Sequence, residues 1–346
     1  MVVVMKPGVA AGEVAAVVAC VEAAGGQAFV SRGVHRVIIG LVGDVEVFAS
    51  LDLAAMPGVA QVTRVSTEYK LVSREHHPER SVVHARGVPI GPGTVTLIAG
   101  PCAVETPEQT LAAAQMAQAA GATMLRGGAF KPRTSPYAFQ GLGELGLRIL
   151  ADVRVETGLP IVTEVTSAHD VAMVAEYADM LQIGTRNMQN FALLQAIGET
   201  NMPVMLKRGM NATIQEWLMA AEYIAQRGNL EIVLCERGIR TFETATRNTL
   251  DISAVPVVQQ LSHLPVIIDP SHSGGRRELV LPLSRAAIVA GADGIIVDVH
   301  PRPDLALCDG AQALVASDLE VLARSVTDLT AFMGRIPAKR RYRSAG

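Results

Sequence analysis

Aromatic residues are scarce: Phe, Trp and Tyr make up 4% of the 346 residues, with one Trp. What fills the chain instead is Ala, Val, Ile, Leu and 31 Gly, a mixture suited to buried parallel strands under Ala-rich helices, hence an α/β fold. Charge of one sign is also lacking. Lys and Arg total 30 against 33 Asp and Glu, a net −3, which excludes a strongly basic nucleic-acid binder. No apolar run is long enough to span a membrane. The stretch from Leu281 to Val297 is broken by Arg285 and Asp293, short of the roughly 20 residues required. No basic segment precedes the apolar run of MVVVMKPG, so a signal peptide is not expected and a cytoplasmic location is. The cysteines, Cys20, Cys102, Cys235 and Cys308, include no C-x-x-C pair, which rules out a disulfide framework in so long a chain.

Length predicts two domains, or one large barrel with a small partner. Residues 1–66 read as strand (Val2 to Met5), helix (Gly12 to Ala24), strand (Gln27 to Ser31), strand (Arg36 to Val42), helix (Val45 to Ala54) and strand (Ala60 to Val65), the βαββαβ order of a ferredoxin-like domain. Arg32-Gly33 supplies a turn. Residues 67–93 are charged and Pro/Gly-punctuated, as in a flexible linker with a short hairpin, and His76 and His77 are read there as a solvated pair. From residue 94 to 336, eight short apolar runs alternate with helix-length segments. They start at Val95, Thr123, Pro160, Met180, Pro203, Ile232, Pro265 and Gly294, and predict a closed (β/α)8 TIM barrel whose chemistry lies beyond the carboxyl ends of its strands. Residues 337–346 close the chain as a basic tail; Arg335 and Lys339 to Arg343 are expected to be solvated.

The residues at those strand ends are Cys102 after strand one, Arg126 to Ser135 after strand two, Arg186 after strand four, Lys207-Arg208 at strand five and Cys235-Glu236-Arg237 at strand six. Asp269 to Gly275 follow strand seven, and Asp298, His300 and Asp309 belong to strand eight and its loop. Five or more cations aimed into one mouth repel one another unless anions neutralise them, so a polyanionic substrate is expected, with two phosphates and a carboxylate. Ser273-Gly274-Gly275 offers a backbone nest for an anion. Cys102, His272, Asp298 and Asp309 come from neighbouring strands and can meet around one divalent cation. The alternative is a core thiol, a hydrogen-bonded imidazole and loop acids.

The blocks IAGPC, LRGGAFKPRTSPYAFQGLG, QIGTRNMQNF, LKRGM, CERGIRTFE, RNTLDISAVP, DPSHSGGRR and CDGAQAL closely resemble 3-deoxy-D-arabino-heptulosonate 7-phosphate (DAHP) synthase of the type I branch with a ferredoxin-like N-terminal extension. The resemblance implies a transferase condensing phosphoenolpyruvate with erythrose 4-phosphate, the first step of the shikimate pathway and of aromatic amino acid biosynthesis. It implies one divalent metal (Mn, Fe, Co or Zn) on Cys102, His272, Asp298 and Asp309, and catalytic roles for Lys131, Cys102 and His272. Arg126, Lys131, Arg186, Lys207 and Arg237 would hold phosphoenolpyruvate, and Arg133, Thr134 and Ser135 the sugar phosphate. A homotetramer inhibited by an aromatic amino acid at the N-terminal domain is implied too.

The family string EVHP is VDVHP here, so the strand-eight acid, Asp298, is one methylene short and reaches a metal only with a backbone shift or a bridging water. Cys308, usually Ser in relatives, and Arg302, usually acidic, depart as well. Two other readings compete: the related 3-deoxy-D-manno-octulosonate 8-phosphate synthase, and a catalytically silent regulator binding ligands of the same pathway.

Overall fold

The computed structural model describes residues 1–32, 37–63 and 68–339. The expected turn at Gly33, the domain boundary at Ser66 and the tail residues Arg340, Arg341 and Arg343 lie outside them. The N-terminal alternation folds as β1 (Val2–Met5), α1 (Ala11–Ala23), β2 (Gln27–Arg32), β3 (Val37–Val42), α2 (Val45–Ala49) and β4 (Val59–Thr63), giving an antiparallel sheet in the order β2-β3-β1-β4. Helix α1 turns Val14, Val17 and Val21 inward, at helical spacing, onto Met5, Ile39, Leu41 and Phe48,. Helix α2 ends earlier than the sequence pattern suggests. The Ser50 hydroxyl donates back to the Val47 carbonyl at 2.6 Å, and Asp52 takes a left-handed φ of 45° before a 3₁₀ turn at Leu53–Ala55,.

A two-stranded hairpin, β5 (Val83–Ala85) and β6 (Val88–Ile90), precedes the barrel. The barrel strands are β7 (Thr94–Gly100), β8 (Met124–Arg126), β9 (Ile161–Val165), β10 (Met180–Ile183), β11 (Val204–Lys207), β12 (Ile232–Glu236), β13 (Val266–Ile268) and β14 (Gly294–Asp298). Each is parallel to the next, and β14 returns to pair with β7, closing the ring. Outside run α3 (Pro107–Ala119), α4 (Glu144–Thr157), α5 (Val171–Tyr177), α6 (Phe191–Gly198), α7 (Ile214–Ala225), α8 (Ala254–Leu261), the single-turn α9 (Pro270–Gly274), α10 (Arg277–Val289) and α11 (Ala316–Phe332). After α11, β15 (Ile336–Pro337) pairs with β7. The start of α3 is capped as its sequence predicts, with the Thr106 hydroxyl accepting from the Gln109 amide at 3.1 Å,. No helix among the described residues is long and apolar enough to cross a membrane.

Strand alternation fixes the interior. Ile98, Met124, Val162, Met180, Met205, Val233, Ile267 and Ile296 point inward as one apolar floor, and Val83, Ala85, Val88 and Ile90 of the hairpin seal it from below,. The segment before the hairpin is no free linker. Amides of Leu71 and Val72 donate to the buried Glu222 carboxylate on α7 at 3.0 and 3.1 Å, Ser262 donates to the Val72 carbonyl at 2.6 Å, and Arg80 pairs with Asp293. Of its two histidines, expected as a solvated pair, His76 is 2% exposed, while His77 is half-buried and lies 4.5 Å from the buried His263 ring. Arg335, expected in a solvated tail, instead donates to the Ala292 carbonyl at 2.8 Å and pairs with Asp293 at 3.0 Å.

Candidate active site

Two residues beyond six of the eight floor side chains, the same alternation sets a second inward layer, and this one is polar: Arg126 after Met124, Glu164 after Val162, Gln182 after Met180, Lys207 after Met205, Asp269 after Ile267 and Asp298 after Ile296,. In register, Asp298 lies opposite Gly100 and Lys207 opposite Cys235. Gly100 (φ 158°) is obligatory here, because a Cβ would overlap the Arg126 carbonyl,. Gly128 likewise leaves the space through which Lys131 reaches Cys102; an added Cβ would lie 2.6 Å from the Cys102 carbonyl.

Above this layer opens a cavity of about 450 Å³. Arg126, Lys131, Arg133, Arg186, Lys207, Arg237, Arg240 and Arg247 line it, eight cations against the carboxyls of Glu164 and Asp309, with Thr134, Ser135 and His272 beside them. Every substrate-binding residue expected from the sequence is on this wall. Burial pushes the Glu164 carboxyl above its usual range, against the pull of Lys131, Lys207 and Arg126, and lowers Arg237, both signs of a dry site.

Cys102, His272, Asp298 and Asp309 bring one ligand atom each into a group within 4.8 Å of one another. Cys102 Sγ lies 3.3 Å from Asp309 Oδ2 and 3.8 Å from His272 Nε2, and His272 Nε2 lies 3.6 Å from a carboxylate oxygen of both Asp298 and Asp309; donors about 2.0 to 2.3 Å from one ion in a tetrahedral array are about 3.3 to 3.8 Å apart, so thiolate, imidazole and two carboxylates fit a divalent cation. Asp298 joins the group: its Oδ2 lies 3.6 Å from His272 Nε2 and accepts from Gln312 Nε2 at 2.5 Å, while Oδ1 meets the Arg126 guanidinium. His272 is aimed by Asp269, whose carboxylate lies 2.8 Å from Nδ1 and 2.5 Å from Lys207 Nζ,. Burial opposes the Asp269 charge, but His272 and Lys207 outweigh it and hold that carboxyl well below its usual range. Cys102 Sγ takes a hydrogen bond from Cys308 and faces Lys131 Nζ at 3.1 Å, and both hold the Cys102 thiol well below the ordinary thiol range,.

Five strand-end residues do not belong to the mouth. Arg208 turns outward to Glu236 and Asp251, at 2.9 and 2.8 Å, beneath Trp217. Cys235 sits in the floor, where burial raises its thiol. His300 pairs with Glu105 at 3.4 Å. Ser273 and Gly275 form no nest, because their amides donate to Asp269 and Ser271 carbonyls within the α9 turn. Glu164, Gln182, Arg240, Arg247 and Gln312 were not expected in the site, and Asp269, placed at its strand end, was given no role there. Glu164, Gln182 and Asp269 were legible as the inward residue two places past an apolar one. Arg247, which holds Asp309 at 3.0 Å and Gln312 at 2.9 Å, lies on an irregular loop that no period marks.

Residues 69–334 match the model of the DAHP synthetase I family, and residues 1–67 that of the DAHP synthase ferredoxin-like domain. A phospho-2-dehydro-3-deoxyheptonate aldolase from Thermotoga maritima is 52% identical over 329 residues, covering 95% of this chain and 96% of its own length. A crystal structure of that organism's DAHP synthase superposes with a TM-score of 0.77 at 50% identity, covering 97% of this chain and 98% of that one. A 2-dehydro-3-deoxyphosphooctonate aldolase from Syntrophotalea carbinolica is 38% identical over 238 residues, which is 64% of this chain and 85% of its own.

Proposed function

The chain belongs to the DAHP synthetase I family, with that family's ferredoxin-like extension, and from this premise we propose that it condenses phosphoenolpyruvate with erythrose 4-phosphate to DAHP and phosphate, opening the shikimate pathway. The observation that carries the substrate assignment is the excess of cations in the barrel mouth, eight against two lining carboxyls, beside a four-donor cluster. Two phosphate esters and a carboxylate neutralise such a wall; a neutral or cationic substrate does not.

In this reading Arg126, Lys131, Lys207, Arg186 and Arg237 hold the phosphoenolpyruvate carboxylate and phosphate, and Arg133, Thr134 and Ser135 hold the sugar phosphate. The grip orients the enol carbon toward the aldehyde carbon and stabilises charge on the departing phosphate. A divalent cation held by Cys102, His272, Asp298 and Asp309 would supply Lewis-acid polarisation of the aldehyde. Lys131, 2.8 Å from the Cys102 carbonyl, is placed to pass a proton to the nascent alkoxide oxygen. Water adds to the cationic carbon left in the enol ether, and the resulting phosphohemiketal loses phosphate. Asp269 keeps the His272 ring in place while this happens. Residues 1–66 carry none of these groups and serve regulation, with an aromatic amino acid as effector and a homotetramer as the assembly.

The octulosonate activity is disfavoured because curated octulosonate relatives match 64 to 72% of this chain against the near-complete match to the heptulosonate enzyme. Parallel turnover of metal-reconstituted protein with erythrose 4-phosphate and with arabinose 5-phosphate, read as phosphate release, decides between them. Erythrose 4-phosphate is expected to be preferred, and preference for the pentose overturns the assignment. A protein that binds phosphoenolpyruvate yet turns over neither sugar is the silent regulator.

A further inference from the structure

Cys102 Sγ and Cys308 Sγ lie 3.5 Å apart although 206 positions separate them in the chain. With Ala103 they form a small buried apolar cluster under Phe139. A disulfide needs its sulfurs about 2.05 Å apart, so bond formation asks for a relative movement of about 1.5 Å. Cys308 has that freedom. It sits in an irregular loop between the 3₁₀ turns Pro303–Leu305 and Gly310–Gln312, whereas Cys102 follows β7 directly. Cys308 also lines the cavity, which gives a small oxidant a path to the pair from the substrate side. The remaining cysteines have no such neighbour in view: Cys235 is packed into the barrel floor, and Cys20 belongs to the N-terminal core.

We propose that Cys102 and Cys308 form a reversible disulfide with peroxide as oxidant, and that this bond withdraws Cys102 from the metal cluster. Two thiols lose two electrons and two protons to make one S–S bond; hydrogen peroxide takes both and leaves as two waters. A disulfide sulfur is no longer a thiolate donor, so three of the four ligands remain. Bond formation also pulls Cys308 away from Arg133 Nη1, now 2.7 Å from its sulfur, and drags the adjoining Asp309, which holds a left-handed φ of 52°. Oxidation thereby acts on the metal ligands and on the sugar-phosphate loop together. The functional consequence rests on the reading of the mouth given above; the bond itself does not.

The test uses full-length, metal-stripped protein treated with hydrogen peroxide and then with dithiothreitol. Free thiols counted in denaturant are expected to fall from four to two, the intact mass to drop by two hydrogens, and a non-reducing peptide map to join the Cys102 and Cys308 peptides. Manganese(II) or zinc(II) affinity, by calorimetry, is expected to weaken at least about tenfold on oxidation, and reductant to restore both readouts. Cys308→Ser and Cys102→Ser should each keep all remaining thiols at the same dose. Wild type retaining four thiols, a sulfinic acid on Cys102 with Cys308 free, or a linkage between molecules overturns the proposal. So does a demonstrated disulfide with unchanged metal affinity. Thiol count and peptide map need no substrate, so failure of this inference and failure of the proposed reaction are read separately.

Discussion

At the residue scale, consecutive side chains on one strand have opposite fates, and the chemistry turns on that parity. Lys207 points into the mouth and Arg208 out of it; both end the same apolar run, so the run alone does not say which is which. Counting by twos from Met205 does. Asp298 is the residue where two duties meet, since its carboxylate serves the donor cluster and also neutralises Arg126. Asp298→Ala is expected to weaken divalent-metal affinity at least about tenfold and abolish turnover, while Asp298→Glu stays active. Wild-type affinity in the alanine variant, measured by calorimetry, removes it from the ligand set. The cationic clamp divides on stability. Arg186 is exposed and donates to the Thr134 hydroxyl at 3.3 Å, so Arg186→Leu should cost tenfold or more in kcat/KM, about 1.4 kcal/mol or more, with folding stability within about 0.5 kcal/mol. Lys207 is 4% exposed and paired with buried Asp269. Lys207→Met strips a partner from that carboxylate, so it should lower both activity and the denaturation midpoint; an unchanged midpoint contradicts the pairing.

At the scale of elements, the eight strands were legible because each is an apolar run bounded by glycine, proline or charge, and the structure places every one within two residues of its expected bounds. Segment 68–82 was misread for a physical reason: its hydrogen bonds go to partners far away in sequence, to Glu222 and Ser262, which leave no local period. Its charged look conceals the burial of Leu71, Val72 and His76. Glu222→Ala should therefore destabilise the protein by about 1 to 3 kcal/mol by orphaning two buried amides, seen as a lower denaturant midpoint with the mouth residues untouched. The same packing predicts acid lability. Burial lowers His76 and His263 to about 3, below the ordinary value near 6.5. Both are neutral when folded and take up protons on unfolding, so their stabilisation is complete above about pH 6.5 and falls as pH drops toward 3, by up to about 1.4 kcal/mol per unit for each histidine. Thermal melts between pH 7.5 and 5 should show the loss, and His263→Gln should flatten it; a slope unchanged in that variant assigns the effect elsewhere.

For the whole molecule, mouth and floor are opposite ends of one tube, and the hairpin belongs to the floor even though it precedes the barrel in sequence. Deleting residues 1–66 should leave a folded, active barrel that no longer responds to an aromatic amino acid, whereas starting at residue 94 bares Ile98, Met124, Val162 and Met180 and should yield aggregate. Equal inhibition of full-length and shortened protein places the effector elsewhere. The floor has one further property. The chain enters the barrel past Arg80 and leaves it past Arg335, and both guanidiniums close on the same buried carboxylate, Asp293, which also accepts the Val266 amide at 2.9 Å. A tensile load applied to the two ends of the barrel thus converges on a single buckle. Stretched between tethers, the molecule should resist until Asp293 lets go and then yield in one step, and Asp293→Ala should give way at visibly lower force.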